Sequence, residues 1–130
     1  MGADATRLVV DGMNVIGSRP DGWWRDRDGA ARRLHARLEA HTRRHGRDVL
    51  LVLDGAATSD WHVGGFVEVV FARDEGFRNA DDAIVARVER ELAPETIEVV
   101  TSDRELAARV RAAGGVVSGP RALLEALDNQ

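Results

Sequence analysis

The sequence predicts an α/β fold: a three-layer α/β/α sandwich built on a central, mostly parallel sheet of about five strands. Three observations predict it. Short apolar runs alternate with longer segments of helical periodicity. One run, Val49-Leu50-Leu51-Val52-Leu53, is apolar at every position, as a strand covered on both faces must be. The strand-like runs tend to end on an aspartate or a small polar residue, which places loops and helix starts at one edge of the sheet. The 130 residues suit one domain with one core, spanning 1–130.

Taken in order, Thr6–Asp11 reads as the first strand. Residues 17–26 carry Gly17, Pro20 and Gly22 and read as a loop. From Asp28 to His45 the spacing of Ala31, Leu34, Leu38 and Thr42 predicts a helix, stopped by Gly46. Val49–Leu53 is the second strand, ending on Asp54-Gly55. A loop over 55–65 contains Thr58, Ser59, Trp61, His62, Gly64 and Gly65. Phe66–Ala72 is the third strand and Arg73–Arg78 a polar connection. Asn79 caps a helix running to Ala93, with the stripe Ile84, Val85, Val88, Leu92 facing the sheet and Pro94 beyond its end. Ile97–Thr101 is the fourth strand. Ser102-Asp103-Arg104-Glu105 has a capping-box pattern, with Ser102 as the cap of a helix to Ala113. Gly114-Gly115 ends it, Val116-Val117 is a short fifth strand, and Pro120 starts a last helix to Asp128.

Composition removes several function classes. There is no cysteine, so disulfides and thiolate zinc sites are excluded. All 18 basic residues are arginine, so mechanisms that need a lysine are excluded too. No apolar run nears the roughly 18 residues of a membrane span, and no signal peptide is recognisable, so a cytoplasmic protein without a membrane partner is expected. The net charge of −4 argues against a generic nucleic-acid coat, but it is unevenly spread. Residues 19–47 hold nine arginines against four acids, a net of +5, which leaves −9 on the rest. One basic face and one acidic focus would produce this division.

The acidic focus is legible. In such sheets ligands bind beyond the carboxyl ends of the strands, where strand order reverses. Asp11 ends the first strand, Asp54 ends the second, and Asp103 follows the fourth by two residues. Asp81 and Asp82 lie in the first turn of the helix after the third strand. Asp81 shares the sheet-facing stripe, whereas Asp82 is turned about 100° away. Carboxylates gathered at one edge repel, and a hard divalent cation resolves the repulsion because Mg2+ and Mn2+ prefer oxygen ligands. Such ions clamp phosphate oxygens and lower the pKa of a bound water, which points to metal-assisted phosphodiester hydrolysis. Individually, each aspartate is equally well explained as a turn former or helix cap; the joint placement carries the reading. Asn14, three residues after Asp11, is either a turn residue or a support for that carboxylate.

Val10-Asp11-Gly12-Met13-Asn14, Leu53-Asp54-Gly55, Asn79-Ala80-Asp81-Asp82-Ala83-Ile84 and Val100-Thr101-Ser102-Asp103 follow one another as in NYN domains, a branch of the PIN-like ribonuclease superfamily. The chain resembles the bacterial YacP-like members most, from Thr6 to Leu127. The resemblance implies a Mg2+- or Mn2+-dependent endoribonuclease and, in some members, association with ribosomes. Carried over to this sequence, it implies Asp11, Asp81 and Asp103 as metal ligands, Asn14 as support, Asp54 in the outer part of the site and Asp82 as a second acid. Asn79 stands where YacP-like chains often have Thr, a change of cap more than of chemistry.

Substrate RNA, expected to be single-stranded mRNA, needs cations and stacking surfaces. Arg73, Arg78 and Arg104 adjoin the aspartates in sequence. Arg25 and Arg27, with Arg32 and Arg33, are candidates to line the RNA path, or else form a solvated helix face. Trp23 and Trp24 are adjacent, so one is expected to pack and the other, taken as Trp24, to be exposed for stacking. Trp61 is a lid or a loop anchor, and His41 and His45 read as a solvated helix end. A dinucleotide-binding domain lacks its glycine pattern here, a phosphoacceptor receiver lacks its lysine, and a haloacid-dehalogenase-type phosphatase lacks an acid at position 13, which is Met13. The remaining alternative is a PIN-like module that binds RNA or a ribosome without cutting. Oligomeric state is not encoded legibly.

Overall fold

The computed structural model describes residues 7–61 and 65–130. Thr6, His62 and Gly64, invoked above, lie outside them. Five strands, β1 (Arg7–Asp11), β2 (Asp48–Leu53), β3 (Val67–Phe71), β4 (Ile97–Val100) and β5 (Val116–Ser118), form one sheet in the order β3-β2-β1-β4-β5. Every pairing is parallel. The chain steps outward from β1 to β3, then returns to lay β4 on the other side of β1. The order therefore reverses between β1 and β4, and it is beyond the carboxyl ends at such a reversal that ligands bind in sheets of this kind.

Alternation along the strands feeds two cores. Leu8, Val10, Val49, Leu51 and Leu53 pack with helices α1 (Gly12–Gly17), α2 (Arg27–His45) and α5 (Pro120–Asp128). Val9, Leu50, Val52 and Val70 pack with α3 (Ala80–Arg90) and α4 (Arg104–Ala112). The unbroken apolar run of β2 thus has helices on both faces. Asp11 continues the Val9 side of β1, so its carboxylate lies toward α3 and α4.

Three expectations are corrected. Residues 12–17 form the helix α1, so Asn14 is a helical residue and not a turn residue; the propensity of the segment is poor, with two glycines and two β-branched residues, but Val15 and Ile16 are buried against the core. At its start the chain passes so close to β2 that a Cβ on Gly12 would fall 2.6 Å from Leu53 Cδ2 and 2.9 Å from the Val52 carbonyl oxygen. Second, α3 stops at Arg90, and Leu92 is fully exposed instead of packed. Third, Asp103, not Ser102, caps α4, its Oδ1 accepting from the amides of Glu105 and Leu106 at 2.9 and 3.1 Å. Elsewhere the elements fall where expected, including the Asn79 cap on the Asp82 amide and Gly46 in the left-handed region with φ 68°. Among the described residues, no helix is long and apolar enough to cross a membrane.

Candidate active site

The carboxylate of Asp11 is only 5% exposed. The Thr101 hydroxyl donates to its Oδ2 at 2.8 Å, and the same oxygen of Thr101 accepts from the Asp103 amide at 3.1 Å. One side chain therefore spans the reversal, joining the end of β1 to the start of α4. Burial, then the charges of Asp81, Asp54 and Asp103, push the Asp11 carboxyl up to about 6, against the lowering effect of the Thr101 hydroxyl. Asp81, half-buried in the first turn of α3, is raised as well, first by burial and then by Asp103 and Asp54, with Arg109 opposing. Among the described residues no arginine pairs with Asp11.

The other aspartates have structural ties. Asp54 Oδ1 accepts from the Ala80 amide at 2.7 Å and so docks the start of α3 on the end of β2. Asp82 is paired with Arg109 at 3.2 Å, turned away as its helical position requires. Asn14 holds the loop after β4: its Oδ1 accepts from the Ser102 amide at 2.8 Å and from the Ser102 hydroxyl at 3.0 Å. It fixes the backbone beside Asp103 and is not hydrogen-bonded to Asp11.

As the side chains stand, no three acid or histidine groups among the described residues close around one point. The donor chemistry nonetheless fits a hard divalent cation. The set is all oxygen, Asp11 is buried without a counter-charge, and Asp11 Oδ1, Asp54 Oδ2 and Asp103 Oδ2 carry no hydrogen bond among the described residues.

The arginines divide. Arg25 and Arg27 are exposed on the 3-10 turn Trp23–Arg25 and at the start of α2, and the Arg27 guanidinium lies 5.2 Å from the Trp23 ring centre. Arg73 and Arg78 share an exposed pocket with Phe77 at the turn before α3, and Arg104 is exposed beside Asp103. Arg32 instead pairs with Asp28 at 2.7 Å and lies 4.7 Å over Trp61, a structural role. Trp24 is 51% exposed while Trp23 packs on the core, with the two rings edge to face at 5.9 Å. Trp61 is a loop anchor: it is buried, its Nε1 donates to Asp28 at 3.1 Å, and its ring meets Phe71 edge-on. His41 is not a solvated group; it is buried, its ring 4.5 Å from that of His45, and its pKa is lowered by burial first and then by His45 and Arg47.

A parallel sheet in this order, with aspartates from three strand ends and a helix start bearing on one another across its reversal, defines the PIN-like ribonuclease fold. The YacP-like NYN domain model matches residues 8–130, and the chain belongs to that family. NYN domains are in general nucleases. Two solved structures are similar, both of Rae1 (YacP) from Bacillus subtilis. The W164L mutant is 25% identical with a TM-score of 0.73, the match covering 95% of this chain and 75% of that one. The other is 26% identical at a TM-score of 0.73, covering 94% and 73%. No curated protein matches the chain.

Sequence reasoning missed two participants. Strand periodicity makes Thr101 only the end of the fourth strand, although a hydroxyl two residues before Asp103 is a visible signal of its part in the site. Met13, which lines the cavity beside Asp54, gave no signal short of the folded loop.

Proposed function

We propose that this protein is a divalent-metal-dependent endoribonuclease that hydrolyses phosphodiester bonds of single-stranded RNA, with Asp11, Asp81 and Asp103 holding Mg2+ or Mn2+. The observation that carries the reading is Asp11, buried at the strand-order reversal, its carboxyl raised to about 6 by burial and by three further aspartates. A buried charge without a counter-charge destabilises a fold, and oxygen-only surroundings favour a hard cation as the remedy. The chemistry such an ion supplies when bound is Lewis acidity toward phosphate oxygens and a water of lowered pKa.

This chain's own residues hold the parts. Thr101 orients Asp11, the α4 amides stiffen Asp103, and Asn14 fixes the loop between them. Asp54 and Asp82 are outer acids, tied to Ala80 and Arg109. Arg25, Arg27, Arg73, Arg78 and Arg104 supply phosphate contacts, and exposed Trp24 offers a stacking face. The substrate assigned is single-stranded mRNA in the cytoplasm, with the ribosome as a candidate platform for its presentation.

A second reading, an RNA- or ribosome-binding module that does not cut, has one observation in its favour: among the described residues no three acids close around one point. Incubating the purified protein with single-stranded RNA and Mg2+ or Mn2+ separates the two. Cleavage that EDTA abolishes supports the enzyme; RNA that is bound but left intact in both ions assigns the module.

A further inference from the structure

A cavity of about 390 Å3 opens beside the acidic edge. Its walls include Met13 from α1, Trp23, Leu53 at the end of β2 and Phe71 at the end of β3, and Arg27 and Asp54 also line it. We infer that this cavity is a base subsite, taking one unpaired nucleobase of the RNA strand whose phosphate lies over the aspartates. The inference rests on the nuclease reading above.

Four features support it. The cavity adjoins the acidic edge, because Asp54 lines it and Met13, two residues after Asp11, forms one of its walls. Its volume lies near the lower end of small-ligand sites, roughly 300–1,000 Å3, which suits one base and excludes a duplex. The rings of Trp23, Trp61 and Phe71 and the Met13 thioether offer the surfaces on which bases stack. The Arg27 guanidinium lies over Trp23, so a cation stands where the backbone phosphate of a stacked nucleotide would need one.

The polar groups of the lining favour stacking over edge reading. Asp28 already accepts from Trp61 Nε1 and from Arg32 Nε, and the Thr58 hydroxyl donates to Asp60. With those groups engaged, and with the remaining oxygen of Asp54, Oδ2, belonging to the cation site, contact area decides occupancy. Purines bind better than pyrimidines, and the two purines are little distinguished.

The test uses the full chain carrying Asp11→Asn, so that bound RNA is not cut. Short single-stranded oligoadenylates with one abasic position, walked along the strand, are titrated by fluorescence anisotropy. The expected result is a loss of about tenfold in affinity at one position and little elsewhere, with oligouridylate weaker than oligoadenylate. Ala56→Trp, which fills the cavity from an exposed lining position, should flatten the abasic scan; Thr58→Phe serves if that variant does not fold. RNA that binds with a flat scan in the Asp11→Asn parent overturns the base subsite and leaves the nuclease reading standing. Equal affinity for oligouridylate overturns the stacking argument, as does an undiminished scan in the filled variants. Failure of the wild-type chain to bind or cut any RNA removes the nuclease reading, and the subsite with it.

Discussion

Asp11→Asn should stabilise the metal-free protein at neutral and alkaline pH while abolishing its activity. The Asp11 carboxyl sits at about 6 in the fold against 3.8 in its absence. An acid whose pKa is raised by folding binds its proton more tightly in the folded state. Its ionisation therefore opposes folding increasingly as pH rises from about 4 through 6, and in full above that. At about 1.4 kcal/mol for each tenfold change in proton affinity, the interval amounts to about 3 kcal/mol. Asparagine has nearly the same shape, still accepts from the Thr101 hydroxyl, and carries no charge. In EDTA, thermal melts of the two proteins should coincide near pH 3.5 and diverge to about 10 °C at pH 8, the variant being the more stable. Because Asp81 is raised by the same cluster, the gain includes relief of its repulsion. Mn2+ should then narrow the gap by stabilising the wild type. Melting curves that stay parallel from pH 3.5 to 8 would refute the account of Asp11 as a buried, uncompensated charge.

Further predictions address the rest of the site. Asp11→Asn, Asp81→Asn and Asp103→Asn should each lower the cleavage rate by at least about a hundredfold with the far-ultraviolet dichroism unchanged; full activity in all three would remove the metal-ligand assignment. Thr101→Val deletes the hydroxyl that serves both Asp11 and the Asp103 amide, so urea unfolding at pH 8 should show a loss of about 1–3 kcal/mol, and an unaltered midpoint would count against that bridge. Replacing Arg25 and Arg27 by Ala should reduce the slope of log affinity against log salt by about one to two, measured on single-stranded RNA; an unchanged slope moves the RNA path elsewhere. Leu92→Ser should change stability by less than about 0.5 kcal/mol, since the side chain is fully exposed.

What the sequence made legible follows from how local each cause is. β2 announced itself because burial on both faces demands apolar residues at every position. The aspartates were legible because each ends a strand or opens a helix, and the crevice of a parallel sheet collects such ends. Helix α1 was hidden because its stability comes from burying Val15 and Ile16, not from the propensities of Gly12–Gly17. The choice between Ser102 and Asp103 as cap is made by Asn14, which engages the Ser102 amide and hydroxyl from 88 positions away. Leu92 continued a helical stripe on paper, but the chain leaves the helix at Glu91, ahead of Pro94. The cavity beside Asp54 depends on how residues 17–26 fold back over β2 and β3, so neither Met13 nor Trp23 betrayed it.

The tight passage at Gly12 has a wider consequence. With no room for even a methyl group between α1 and β2, the start of α1 is gauged directly from the core. Asp11, Met13 and Asn14 lie on that one short stretch, which presents an acid, a cavity wall and the clamp on the neighbouring loop. Their mutual spacing is thus set by a single fixed datum. A change in core packing beneath Gly12 displaces all three in concert, and none of them can be re-aimed by moving the backbone without disturbing the others.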